Sequence, residues 1–202
     1  MPFSFVQTLR KKITRPCFET TQINTPQLFL RPPQSGDCQS WVALRNESRD
    51  FLVPWEPSWP DRIILEKDFR SMLKIRRKKW LNDNSYSFFL FRKDDGALAG
   101  AINLNNLVRG AGQYTTLGYW VGEKFTGKGY MTEAVAAATD FAFDDLKLHK
   151  VIAATLPDNI ASRRVLQKLG FTKEGMVRKH LKIAGQWRDH ILYSLLDSDP
   201  RP

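Results

Sequence analysis

Residues 118–134 read GYWVGEKFTGKGYMTEA, and the fold turns on how GEKFTGK, 122–128, is understood. The seven residues match the opening of a phosphate-cradling loop, G-x-x-x-x-G-K, in which a Ser or Thr after the lysine must coordinate magnesium. Gly129 and Tyr130 follow Lys128 instead, so that hydroxyl is missing. A dinucleotide fingerprint, G-x-G-x-x-G, fails as well, because Thr132 stands where the third glycine belongs. What remains is the device common to both. An apolar strand, LGYWV, runs into a glycine-bearing loop, and a helical pattern begins directly after Gly129. Such a loop brings free backbone N–H groups and the positive end of a helix dipole to one place, which suits an anionic ligand.

The rest of the chain bounds the answer. At 202 residues, 42% hydrophobic and 12% aromatic, it has enough apolar material for one domain with a buried core. We read residues 25–202 as that domain and residues 1–24 as a basic N-terminal extension, in which Arg10, Lys11, Lys12 and Arg15 precede the first acidic residue, Glu19. No run of about 18 apolar residues offers a membrane span. Cys17 and Cys38 form no C-x-x-C, and histidines do not cluster, so neither a disulfide framework nor a metal site is expected. A reducing cytoplasm fits this cysteine usage. Lysine and arginine exceed aspartate and glutamate by 31 to 21, a net charge of +10, which favours acidic partners such as nucleic acid, ribosomes or polyphosphorylated cofactors.

Periodicity places the elements. LFLR, 28–31, is a first strand, and helices follow near 37–46, with Trp41, Leu44 and Arg45 at helical spacing, and near 65–79, with Phe69, Met72, Leu73 and Ile75 or Arg76 on one face. YSFFLF and the strand after DDG pair with TTLGYWV in an antiparallel meander. A helix from Tyr130, the strand KVIAATL, a helix stopped by Gly170 and a closing hairpin complete the order β α α β β β α β α β β. Layer packing makes this an α/β fold with a mixed, mostly antiparallel sheet of about seven strands and helices on both faces.

With these elements in place, KFTGKG, 124–129, resembles the coenzyme loop Q/R-x-x-G-x-G/A of the GCN5-related N-acetyltransferases (GNAT), with Lys124 at the usual Gln or Arg position. PDNIASRRVLQKLGFTKEG, 157–175, is similar to the family's N-x-x-S…LGF-x-x-EG block. Within the family FLVPWEP, NLVRG and GQWRDHILYSL, in matching order, resemble the RimJ/RimL-type ribosomal-protein-alanine acetyltransferases. The resemblance implies acetyl-coenzyme A as cosubstrate, no metal, and direct attack by an α-amino group. A ribosomal protein N-terminus is the implied acceptor, in a monomer or homodimer.

It also implies a site. Lys124, Phe125, Thr126, Gly127, Lys128, Gly129 and Tyr130 would hold the pyrophosphate, chiefly by main-chain N–H groups. Trp120 and Val121 would line the acetyl group along the strand edge, although Trp120 reads equally as a core aromatic. Asn159 is expected at the coenzyme arm and Ser162 as the acid for the departing thiolate; helix capping is the competing reading of both. Relatives place a carboxylate base where this chain has Leu181, which leaves His180 and Glu56 as candidate bases. Trp55, Glu56 and Trp59 in the aromatic-proline loop are the candidate acceptor wall, or simply a packed loop. Two other functions stay open: acetylation of a small-molecule amine, and a non-catalytic basic ribosome or RNA binder on the same fold.

Overall fold

The computed structural model describes residues 15–201. Its strands are β1 Ile23–Asn24, β2 Leu28–Arg31, β3 Tyr86–Arg92, β4 Leu98–Val108, β5 Tyr114–Val121, β6 Lys150–Thr155, β7 Thr172–Ile183 and β8 Gln186–Leu196. They form one open sheet in the order β1-β2-β3-β4-β5-β6-β8-β7. Neighbours run antiparallel except β5 and β6, which are parallel because helix α4, Tyr130–Asp140, crosses over between them. The other helices are α1 Cys38–Glu47, the single turn α2 Arg49–Leu52, α3 Glu66–Leu81 and α5 Ile160–Lys168.

The sheet thus has eight strands where periodicity gave seven. The extra one, β1, is two residues long and too short to carry a pattern. It lies in the segment read as an extension, and that segment is stitched to the domain from residue 16 on. Trp80 Nε1 donates to the Pro16 carbonyl at 2.7 Å, and Phe18 packs edge-on against the same indole at 5.5 Å. Residues 1–14, with Arg10, Lys11 and Lys12, lie outside the described residues.

β3 is buried on both faces over residues 86–91, as a central strand between helical layers must be. On one face Phe89 meets Phe69 of α3, which packs on Trp41 of α1. On the other, Tyr86 and Phe88 meet Phe141 just beyond α4. Each such aromatic contributes about 1.5–3 kcal/mol by burial, so the meander is anchored to the helical layers on both faces. That rigid centre positions β5, the strand on which the site depends.

Candidate active site

β5 pairs with β6 only from Tyr114↔Lys150 to Leu117↔Ala153, although β5 runs on to Val121 and β6 to Thr155. Beyond Leu117 the two strands part. The β5 edge over residues 118–121 therefore has no strand partner on that side, while β4 still pairs it on the other through Gly100↔Val121. A sheet opened along one seam leaves backbone polar groups at its lip for a ligand.

The glycine loop closes one end of the seam. Glu123–Phe125 forms a single 3-10 turn, and buried Phe125 anchors it. Gly127 and Gly129 have φ of 73° and 81°, a conformation that costs an L side chain strain, and a Cβ on either would meet no atom within 4 Å. Among the described residues the amides of Gly127, Lys128 and Gly129 donate to no partner. Open donors at the N-terminus of an eleven-residue helix fit a pyrophosphate, so the residues present suit acetyl-coenzyme A. Individual loop side chains are differently occupied. The Thr126 hydroxyl donates to the Glu123 carbonyl at 2.8 Å, Lys124 pairs with Glu47 of α1 at 2.8 Å, and Tyr130 is buried on the core face of α4. Glu133 accepts from Thr25, from the Gln27 and Leu28 amides and from the Gln27 side chain, which ties α4 to β2.

The α5 side of the seam carries a hydroxyl pair. Asn159 caps α5, its side-chain oxygen accepting from the Ser162 amide at 3.0 Å, so the capping reading of Asn159 describes its oxygen. The Ser162 hydroxyl lies 2.8 Å from that of Tyr119 on β5. Burial pushes the Tyr119 phenol up to about 12, against a smaller downward pull from Ser162, so the phenol keeps its proton at neutral pH. Tyr119 was absent from the candidates, because LGYWV reads as a strand of undifferentiated aromatics.

The opposite face holds a cation cluster that the candidates touched only at its rim. Arg45 of α1 donates to both oxygens of Glu56 at 2.7 and 2.5 Å, and Trp59 Nε1 donates to the same carboxylate at 2.8 Å. The Arg45 guanidinium stacks 4.0 Å from the Trp59 ring centroid and 4.8 Å from that of Trp120. Glu56 is therefore held in an ion pair rather than offered as a free base, and Trp120 is a buried aromatic whose main chain belongs to the open edge. Arg76 of α3 donates to the Asn103 side chain nearby. Burial first, then the like charge of Arg45, lower its pKa to about 10, partly offset by Glu56. The sequence signal was present: Arg45 and Arg76 occupy inward positions of amphipathic helices, where an arginine is out of place.

His180 and Leu181 lie where β7 bulges. Register passes from Val177↔His190 to Leu181↔Arg188, leaving two extra residues on β7, with Lys179 at φ 46° and its amide bonded to Asp189 at 2.8 Å. The bulge undoes the alternation that would send neighbours 180 and 181 to opposite faces. The His180 ring stands 5.6 Å from that of buried His190. By strand alternation His190 lies on the same face of the sheet as Trp120. The tip of this hairpin meets the aromatic-proline loop, where the Ala184 amide donates to the Glu56 carbonyl at 3.0 Å. Trp55, half-buried, lies in that same loop.

Comparison with known proteins agrees with this architecture. Residues 27–172 match the family model described as an acetyltransferase (GNAT) domain. A probable N-acetyltransferase, YjcK, of Bacillus subtilis is 36% identical over 85% of this chain and 95% of its own. The [ribosomal protein uS5]-alanine N-acetyltransferase of Escherichia coli is 33% identical over 90% and 93%. Among solved structures, Mycobacterium smegmatis RimJ in complex with CoA-disulfide superposes with a TM-score of 0.81 at 29% identity, covering 87% of this chain and 86% of that one. The chain belongs to the GNAT acetyltransferase family. It is an acetyl-coenzyme A-dependent N-acetyltransferase of the RimJ type. No helix among the described residues is long and apolar enough to cross a membrane.

Proposed function

We propose that the protein acetylates the N-terminal α-amino group of a ribosomal protein in the cytoplasm, with alanine the expected first residue. The observation that carries this reading is the two-sided seam: a glycine loop and a hydroxyl pair on one side, an aromatic and cationic wall on the other, with the β5 edge between them. The relative from Escherichia coli, named for ribosomal protein uS5 alanine, supports the acceptor. A charge of +10 favours approach to an RNA-rich particle.

Bound acetyl-coenzyme A supplies an acetyl thioester: a C–N bond forms, the C–S bond breaks, the amine gives up one proton and the sulfur takes one. The main-chain donors at Gly127, Lys128 and Gly129 hold the phosphates. The β5 edge at Trp120 and Val121 orients the thioester carbonyl. Ser162 Oγ, hydrogen-bonded to Tyr119, hands a proton to the leaving sulfur, and the proton given up by the amine returns to the pair through solvent, so neither hydroxyl stays ionised. Trp55, Trp59 and the Arg45–Glu56 pair line the acceptor side, and His180 on the same face is the residue nearest to a base role.

The deciding experiment is mass spectrometry of ribosomal protein N-termini from cells with and without the gene. Loss of one acetyl group supports the proposal. Unchanged N-termini, with the purified protein still acetylating a small amine, would remove the ribosomal acceptor.

A further inference from the structure

Two guanidiniums and one carboxylate share the acceptor side of the seam, and the sharing is uneven. Arg45 and Trp59 occupy both oxygens of Glu56. Arg76 is left with the Asn103 side chain and, among the described residues, pairs with no carboxylate. It has five N–H donors, and most are unused. A partly buried cation in that condition is costly unless another group satisfies it.

The helix has no packing need for it. Phe69, Met72 and Leu73 make the inward face of α3, and position 76 continues that face while Ile75 stays 55% exposed. An apolar side chain at 76 would pack at lower cost. The direction of Arg76 is informative as well. Asn103 pairs with Gly118 across β4 and β5, and Gly118 is the first β5 residue beyond the last β6 pair. The guanidinium therefore points at the mouth of the seam, on the same side as Glu56 and Trp120.

We propose that Arg76 grips the oxygen of the carbonyl or carboxylate on the carbon next to the attacking amine. In an α-amino compound that oxygen lies three bonds from the nitrogen, so the planar fork that holds it also fixes where the amine sits. A simple aliphatic amine has no such oxygen. The inference rests on the α-amino reading above and narrows it to amino-acid derivatives and peptides.

The test compares wild type, Arg76→Met and Arg76→Lys on four acceptors: an alanine-first hexapeptide, L-alanine amide, L-alanine and 2-aminopropane. Arg76→Met should lower kcat/KM for the peptide and the amide by about 10- to 100-fold, mainly through KM, as expected for one charge-assisted bond. Turnover of 2-aminopropane should be nearly unchanged, and Arg76→Lys should restore part of the loss. Calorimetric titration of alanine amide should show the same loss without turnover. The melting temperature of Arg76→Met should hold or rise, since an unpaired cation has been removed. A deeper loss for L-alanine than for the amide identifies a carboxylate as the gripped group; a loss confined to the peptide and the amide identifies a carbonyl. Equal losses on all four acceptors, no loss on any, or a wild type that acetylates only 2-aminopropane would overturn the assignment. Turnover of alanine amide without the hexapeptide would count against the ribosomal acceptor alone, and Arg76 would still be judged on the amide.

Discussion

The Tyr119 hydroxyl sits 2.8 Å from Ser162 Oγ, joining β5 to the first turn of α5 across the seam where β5 and β6 part. The Asn159 cap uses the backbone N–H of Ser162, which alanine retains, so Ser162→Ala removes the hydroxyl and spares the cap. It should lower kcat by about 10²-fold, the low end for general acid catalysis because a thiolate leaves readily, with coenzyme Kd unchanged. Tyr119→Phe should cost about tenfold, the value of one hydrogen bond. Unchanged turnover together with a lower melting temperature in Ser162→Ala would make the residue structural.

Gly127 and Gly129 lie in the left-handed region with open space beside them. Replacing both by Val introduces about 1–3 kcal/mol of strain at each position and places side chains beside the free amides. Calorimetry should then detect no acetyl-coenzyme A binding, while circular dichroism still reports a folded sheet. Retained affinity would show that the phosphates are held elsewhere.

Glu56→Gln leaves the Arg45 guanidinium without its anion. The pair is 10% and 20% exposed, so its loss should cost about 2–3 kcal/mol, below the range for a fully buried pair. For a chain of this size that is a fall of roughly 5–10 °C in Tm. Measured well below the melt, turnover should stay within about tenfold of wild type; a loss of about 10² or more would assign Glu56 the base role after all.

Burial raises the Glu133 carboxyl, but hydrogen bonds from Thr25, Gln27 and Leu28 outweigh it and hold the group below its ordinary 4.5. A carboxyl with a depressed folded pKa stabilises fully above its unfolded value and loses that contribution as pH falls through the folded one. Glu133→Gln should therefore melt below wild type at pH 7, and the gap should begin to narrow as pH falls below about 4.5 and close once pH is under the depressed folded value. A gap constant from pH 7 to pH 3 would show that packing, not charge, ties α4 to β2.

The elements were legible because their signals are local. The helices observed at Cys38–Glu47 and Glu66–Leu81 follow directly from the spacing of Trp41, Leu44, Phe69 and Met72, and the glycine loop from its flanking strand and helix. The site was legible only where one segment supplies it. Tyr119 and Ser162 are 43 residues apart, Arg45 and Glu56 meet across the turn that follows α1, and Arg76 on α3 acquires meaning only beside Asn103 on β4. The β7 bulge was hidden for a related reason: a positive φ at a lysine has no composition of its own, yet it decides where His180 points.

A Cβ placed on Gly122, at the start of the coenzyme loop, would lie 2.5 Å from Leu44 Cδ1 of α1, the helix that carries Arg45. Positions 44 and 122 thus share one packing space. A residue larger than glycine at 122 meets the buried Leu44 side chain, which must then shift or shrink on the helix that carries Arg45. The coenzyme loop and the helix beneath the acceptor wall are thus packed on one another at this point, and homologues with a larger residue at 122 should carry a changed residue at 44.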